Sequence, residues 1–136
     1  MGAWGPNALE NDQALDWLYE AVERGYAAPV KQAFGEVLGA DEGAYVEADL
    51  GEVALAAAEV VAIARGRSRE VESPEYVAQI TAASAQILGV PDVVSAALRA
   101  MDRVAGTNSE LQELWNEGGE NVEWANAMSD LRARLS

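Results

Sequence analysis

The chain has 136 residues, contains neither cysteine nor histidine, and carries a formal net charge of −14 from 23 acidic and 9 basic residues. Without these two residue types, zinc–thiolate centres, thiol catalysis and disulfides are excluded, and the commonest general base and transition-metal ligand is missing. The length fits a single domain over residues 1–136 that can bury a core without a covalent or metal staple. We predict no catalytic residue, no cofactor and no metal site.

The negative charge also limits the classes of partner. An acidic surface repels phosphate backbones and anionic lipids, so we expect no nucleic-acid and no membrane partner, whereas a basic protein would be attracted. The other interpretation is that the acidity only keeps the protein soluble. No run of about 18 apolar residues is present to span a membrane. The start has no basic and hydrophobic signal segment, and we therefore expect a cytoplasmic location.

The first predicted helix covers residues 12–25 and follows Asn11, a favourable N-cap. Its apolar residues fall on one side of a helical wheel and its charged residues on the other, which indicates one buried and one solvated face. Four carboxylates lie on the charged face, those of Asp12, Asp16, Glu20 and Glu23. A solvated surface is one interpretation of this row, and a surface that binds a basic partner is the second.

The second helix is predicted around Pro29 and ends near Gly39, before the longest loop of the chain. Asp49 and Glu52 then resemble a capping box at the start of a third helix, residues 50–64. That helix reads VALAAAEVVAIA and has Glu59 as the one charged residue inside this stretch. Because alanine allows close packing on several sides, we predict that this is the central helix.

Four more helices are predicted in the second half of the chain. The fourth runs from Ser73 to Gly89, the fifth starts at Pro91, a short sixth carries Leu111, and the last carries Trp124. No stretch shows the alternation typical of strands. The sequence therefore predicts an all-α, single-domain irregular bundle of six or seven helices around a central Ala-rich helix.

Three stretches resemble a bacterial family known as domain of unknown function 4259. They are the opening MGAWG with the following residues 10–17, the stretch AAAEVVA at 56–62, and NSELQELWNE at 108–117. The family pattern has a second glycine and an aromatic residue after the opening, where this chain has Pro6, Asn7, Ala8 and Leu9. The resemblance implies a small, mainly helical bacterial protein, and it implies no activity, cofactor or catalytic residue.

The remaining candidate residues have both a structural and a functional interpretation. Trp4, between Gly2 and Gly5, either seats residues 1–10 as an ordered plug or helps to form a small ligand pocket. Glu59 is either paired or solvated, or it is a functional carboxylate. Arg65, Arg67 and Arg69 either complement the carboxyl end of the third helix or bind a phosphate or carboxylate ligand.

Two functions follow from these residues. The first is a non-catalytic interaction module of the immunity or adaptor type, which binds a basic protein through its acidic face. The alternative is a small enzyme or ligand-binding domain that uses carboxylates and Mg²⁺ on a nucleotide or another phosphate-bearing small molecule. The alternative requires two or more carboxylates in one cleft, including Glu52 or Glu59. The sequence does not predict an oligomeric state.

Overall fold

The structure is a computed structural model and describes residues 5–39 and 44–136. Within these ranges the chain forms eight α-helices, numbered in chain order. They are α1 (Asp12–Arg24), α2 (Ala27–Leu38), α3 (Ala48–Ala64), α4 (Pro74–Ala82), α5 (Ser84–Leu88), α6 (Val93–Ala105), α7 (Glu110–Trp115) and α8 (Val122–Leu135).

Helix α3 is the centre of the bundle. Every residue from Ala54 to Ala64 is buried, and the helix contacts all seven of the others. The small side chains of this helix, with Ala56, Ala57, Ala58 and Ala62 fully buried, let neighbouring helices approach closely on every side. The predicted all-α bundle around a central Ala-rich helix is therefore confirmed.

The described residues contain one helix more than the prediction of six or seven, because the predicted fourth helix is two. Ala83 separates α4 from α5, with φ −98° and ψ 10°, outside the helical region. No glycine or proline in the sequence marks this break. It lets the α5 residue Gln86 reach the amino end of α2, where its side-chain oxygen accepts hydrogen bonds from the backbone N–H groups of Tyr26 and Ala27.

Side-chain caps explain where several helices begin. The predicted cap Asn11 accepts a hydrogen bond from the Ala14 N–H at 2.7 Å, and Asn121 caps α8 in the same way at 2.9 Å. The capping box predicted at Asp49 is wrong, because α3 begins earlier, at Ala48. The Ala48 N–H is bound by the Glu110 carboxylate from α7 at 2.8 Å.

The segments before α1 and α3 are also tied to the bundle. Ala8 and Leu9 are buried, and the Glu10 carboxylate accepts hydrogen bonds from the backbone and side chain of Asn7. Trp4, the main residue of the predicted plug, lies outside the described residues. Val46 forms an isolated parallel bridge with Ser109. Within the described ranges, no helix has the length and hydropathy needed to cross a membrane.

Candidate functional site

A cavity of about 550 Å³ opens where several helices begin. The first turns of α1, α3 and α7 border it, together with Asn121, the cap of α8. Its lining residues come from these turns and from the segment before α1: Gly5, Pro6, Asn7, Ala8, Asn11, Asp12, Gln13, Ala48, Asp49, Glu52, Leu55, Glu110, Leu111, Leu114, Trp115, Asn121 and Trp124. Residues far apart in the sequence therefore meet at one end of the bundle.

Four carboxylates line the cavity, and none of its described lining residues is a lysine or arginine. Glu110 is engaged with the Ala48 N–H. Glu52 is half-buried, and burial raises the pKa of its carboxyl, with further contributions from the negative charges of Asp49 and Asp12. Glu52 is thus close enough to Asp49 and Asp12 to be affected by their charges, and no cation among the described lining residues compensates it.

The helix dipoles at the cavity oppose this negative charge only in part. Each helix amino end carries roughly +0.5 elementary charge, so the four ends together supply about +2. The four carboxylates outweigh this partial positive charge. The cavity is therefore negative, and it attracts a cation more than an anion.

Two tryptophans give the cavity an aromatic wall. Trp124 is 4% exposed, Trp115 is half-buried, and both line the cavity beside Leu55, Leu111 and Leu114. Aromatic faces carry a negative quadrupole that attracts cations. The wall is therefore apolar and, like the carboxylates, compatible with a positively charged organic group.

A shallower cleft of about 230 Å³ adjoins the cavity and shares Gln13 and Asp49 with it. It lies between α1, α2 and α3 and adds Glu20 and Glu36. Among the described residues that line the cleft, only Arg24 is basic, and its guanidinium is 2.9 Å from the Glu20 carboxylate. We call the cavity and the cleft together the acidic groove, whose six carboxylates belong to Asp12, Glu20, Glu36, Asp49, Glu52 and Glu110.

The described residues do not bring three acidic side chains together in a way that could hold a metal ion. A comparison with protein families shows what the chain is related to. The family model named domain of unknown function 4259 (DUF4259) matches residues 2–127. The chain belongs to this family. No curated protein and no solved structure matches it.

In this DUF4259 chain, the predicted partner-binding row on α1 divides between the groove and the open surface. Asp12 lines the cavity and Glu20 lines the adjoining cleft. Asp16 and Glu23 are exposed and line neither of them. The predicted row is therefore one wall of a groove whose other walls come from α2, α3 and α7. The binding role of these four residues stays a prediction.

Glu59 lies away from the groove of the DUF4259 chain, in the buried interface of α3 and α8. It is 1% exposed, and both of its carboxylate oxygens accept hydrogen bonds from Arg134, one of them at 2.9 Å. Arg134 also binds Asp130 at 2.9 Å and donates to the carbonyl of Arg67. The positive charge of Arg134 thus compensates the buried negative charge of Glu59. A ligand-binding role of Glu59 remains a prediction.

The three loop arginines also contact the chain itself. Arg65 donates to the Leu135 carbonyl at 3.0 Å, and Arg67 donates to the carbonyls of Arg134 and Ser136. Arg69 is 3.8 Å from Glu72. The contacts of Arg65 and Arg67 satisfy carbonyls at the end of α8, which have no partner within the helix. Ligand binding by the three arginines therefore competes with a structural role.

Sequence reasoning did not place Asp49, Glu52, Glu110, Trp115 and Trp124 in one site. It assigned Asp49 and Glu52 to a helix cap, and it named Glu52 or Glu59 as a carboxylate that the enzyme alternative requires in a cleft. One signal was available in the sequence, because acidic residues occupy the first turns of α1, α3 and α7. It shows that helix starts are acidic, but not that the starts of different helices meet.

Proposed function

We propose that this protein is a non-catalytic interaction module, of the immunity or adaptor type, that binds a basic protein in its acidic groove. The observation that carries the proposal is the gathering of six carboxylates from four helices along one concave surface, whose described lining residues include a single arginine that is already paired. Concave surfaces focus the field of the charges that line them.

The energetics of such a surface favour fast and specific association. Complementary charge raises association rates by orders of magnitude at low salt, and the effect falls when the Debye length drops to about 8 Å near 0.15 M salt. The tryptophans and leucines of the cavity supply apolar contact area, which charge alone does not provide. The groove thus combines long-range attraction with a place for an anchoring side chain.

The test compares two triple variants that remove the same charge. Asp12→Asn, Asp49→Asn and Glu52→Gln neutralise the groove, and Glu70→Gln, Asp92→Asn and Glu117→Gln neutralise exposed acids elsewhere. Binding of a fluorescent lysine- and arginine-rich peptide is measured at low and high salt. We expect the groove variant to lose most of the affinity and the control to keep it. Equal losses would show attraction by net charge alone.

The same variants identify the natural partner. Tagged wild-type protein and both triple variants are used to capture proteins from the native host at low and high salt. We expect to capture a basic protein with the wild type and with the control variant, but not with the groove variant. High salt should release this protein. A partner captured equally by all three proteins would contradict binding in the groove.

A small enzyme or ligand-binding domain acting with Mg²⁺ on a phosphate-bearing molecule is the second candidate. The observation that favours it is the approach of Glu52 to Asp49 and Asp12 in one cavity, together with the raised pKa of Glu52 that burial causes. Calorimetric titration with Mg²⁺ and nucleoside triphosphates tests it. This candidate predicts saturable binding that the Glu52→Gln substitution abolishes.

A further inference from the structure

We propose that the cavity at the start of α1, α3 and α7 receives one arginine side chain of the basic partner, as the anchor of the complex. This inference rests on the proposed function and makes it more specific, because it names the part of the groove that determines specificity. The adjoining cleft would then provide only long-range attraction.

The size and shape of the cavity fit such an anchor. Its volume of about 550 Å³ lies within the roughly 300–1,000 Å³ typical of sites for small molecules. It can therefore accept a long side chain together with part of the backbone that carries it. The shallower cleft, at about 230 Å³, lies below this range.

The polar groups of the cavity fit a guanidinium. Glu52 and Asp49 lie on the first two turns of α3, and Asp12 faces them from the first turn of α1. Burial and the neighbouring carboxylates make the charged form of Glu52 costly, and a cation in the cavity would relieve that cost. A planar guanidinium can also bind two carboxylate oxygens at once, which an ammonium cannot do.

The tryptophans add apolar and aromatic contact area to the cavity. Trp124 is more than nine-tenths buried and lines the cavity. Tryptophan combines a large apolar ring with one N–H donor, which suits a partner residue that has both an apolar stem and polar groups. Trp115 lines the same wall and offers an aromatic face on which a guanidinium stacks.

The experiment uses N-acetyl-arginine amide as the probe and the full chain as the receptor. Its neutral isostere, N-acetyl-citrulline amide, and N-acetyl-lysine amide are the matched ligands. Binding is followed by tryptophan fluorescence and by chemical shifts. We expect saturable binding of the arginine probe in the millimolar range, weaker binding of the lysine probe, and at least about tenfold weaker binding of the citrulline probe.

Protein variants locate the bound probe. Glu52→Gln and, separately, Asp49→Asn are expected to weaken the binding of the arginine probe about tenfold, whereas Asp92→Asn, at the exposed start of α6 and outside the groove, leaves binding unchanged. Asp49 is exposed, so we expect Asp49→Asn to fold. It therefore provides the test even if Glu52→Gln does not fold. Equal binding of the citrulline probe, or unchanged binding by both cavity variants, would overturn the inference.

The two proposals fail separately. If the basic peptide binds in the groove and the arginine probe does not bind, the proposed function as an interaction module is kept and the proposed arginine anchor is rejected. If the two triple variants bind the basic peptide equally, the groove itself is rejected, whatever the arginine probe does.

Discussion

At the scale of the residue, the buried ion pair of Glu59 and Arg134 is the interaction whose loss should be most costly. Glu59 is 1% exposed, and the Arg134 side chain is 13% exposed. Loss of one partner of a buried pair leaves the other uncompensated, which costs about 3–5 kcal/mol. We therefore expect Glu59→Gln, which keeps the shape and one acceptor, to lower the free energy of unfolding by about 2–4 kcal/mol.

Asp130 provides the control for this experiment, because it binds the same arginine from the surface and its side chain is 56% exposed. Asp130→Asn should cost less than about 1 kcal/mol. Urea unfolding followed by circular dichroism measures both values. A loss of peptide binding by Glu59→Gln without any loss of stability would instead assign Glu59 to a ligand site.

Glu72 is the residue with a testable pH dependence. Burial raises the pKa of its carboxyl, the nearby Glu59 raises it further, and one carboxylate oxygen is buried without a hydrogen-bond partner. As pH rises above about 4.5, the unfolded chain loses this proton first. The contribution of Glu72 to stability is therefore present at low pH and is lost as pH rises through the folded pKa.

Glu72→Gln removes this dependence. We expect the variant to gain stability relative to the wild type as pH rises from 4.5, and the gain to level off above the folded pKa of Glu72. Thermal unfolding of both proteins from pH 4 to pH 8 measures the difference. A difference that stays constant over this range would contradict a raised pKa.

At the scale of the element, α3 carries the fold. Ala57 is fully buried among helices that contact α3 on all sides. Extra methylene groups in a packed core typically cost about 1–3 kcal/mol. We expect Ala57→Leu to destabilise the protein by that amount or more, as judged by urea unfolding. Ala78→Leu, at an exposed position of α4, is the control and should stay within about 0.5 kcal/mol of the wild type.

The sequence predicted elements well where local rules decide them. Asn11 caps α1 because its side chain reaches the Ala14 N–H three residues ahead. The apolar run of α3, which only Glu59 interrupts, likewise predicts a buried helix. The break at Ala83 was missed because nothing local requires it, and it serves a distant contact, from Gln86 to the start of α2. The ion pair of Glu59 could not be predicted either, because its partner Arg134 lies 75 residues away in the sequence.

The cavity shows the same limit of local reasoning. A helical wheel describes the faces of one helix, whereas the cavity is made by the starts of several helices. Asp12, Asp49 and Glu110 meet only after the chain has packed. The polar face of α1 was predicted correctly as a wheel pattern, but the groove that it borders depends on tertiary structure.

At the scale of the whole molecule, the net charge of −14 opposes compactness. The Debye length falls from about 30 Å at 0.01 M salt to about 8 Å at 0.15 M, so added salt screens this repulsion. We expect the melting temperature to rise between these two concentrations, equally for NaCl and KCl. A fall would mean that the surface ion pairs outweigh the repulsion, and unequal rises would mean specific ion binding.

A helix that is apolar on every side must be covered on every side. Almost no residue of α3 is exposed beyond its first two turns, because the surrounding helices cover its apolar surface. Brief detachment of α1 or α8 would uncover alanine, valine and isoleucine side chains that can join those of another molecule. The repulsion between acidic surfaces then has a second benefit, because it keeps transiently opened molecules apart and so protects the protein against aggregation.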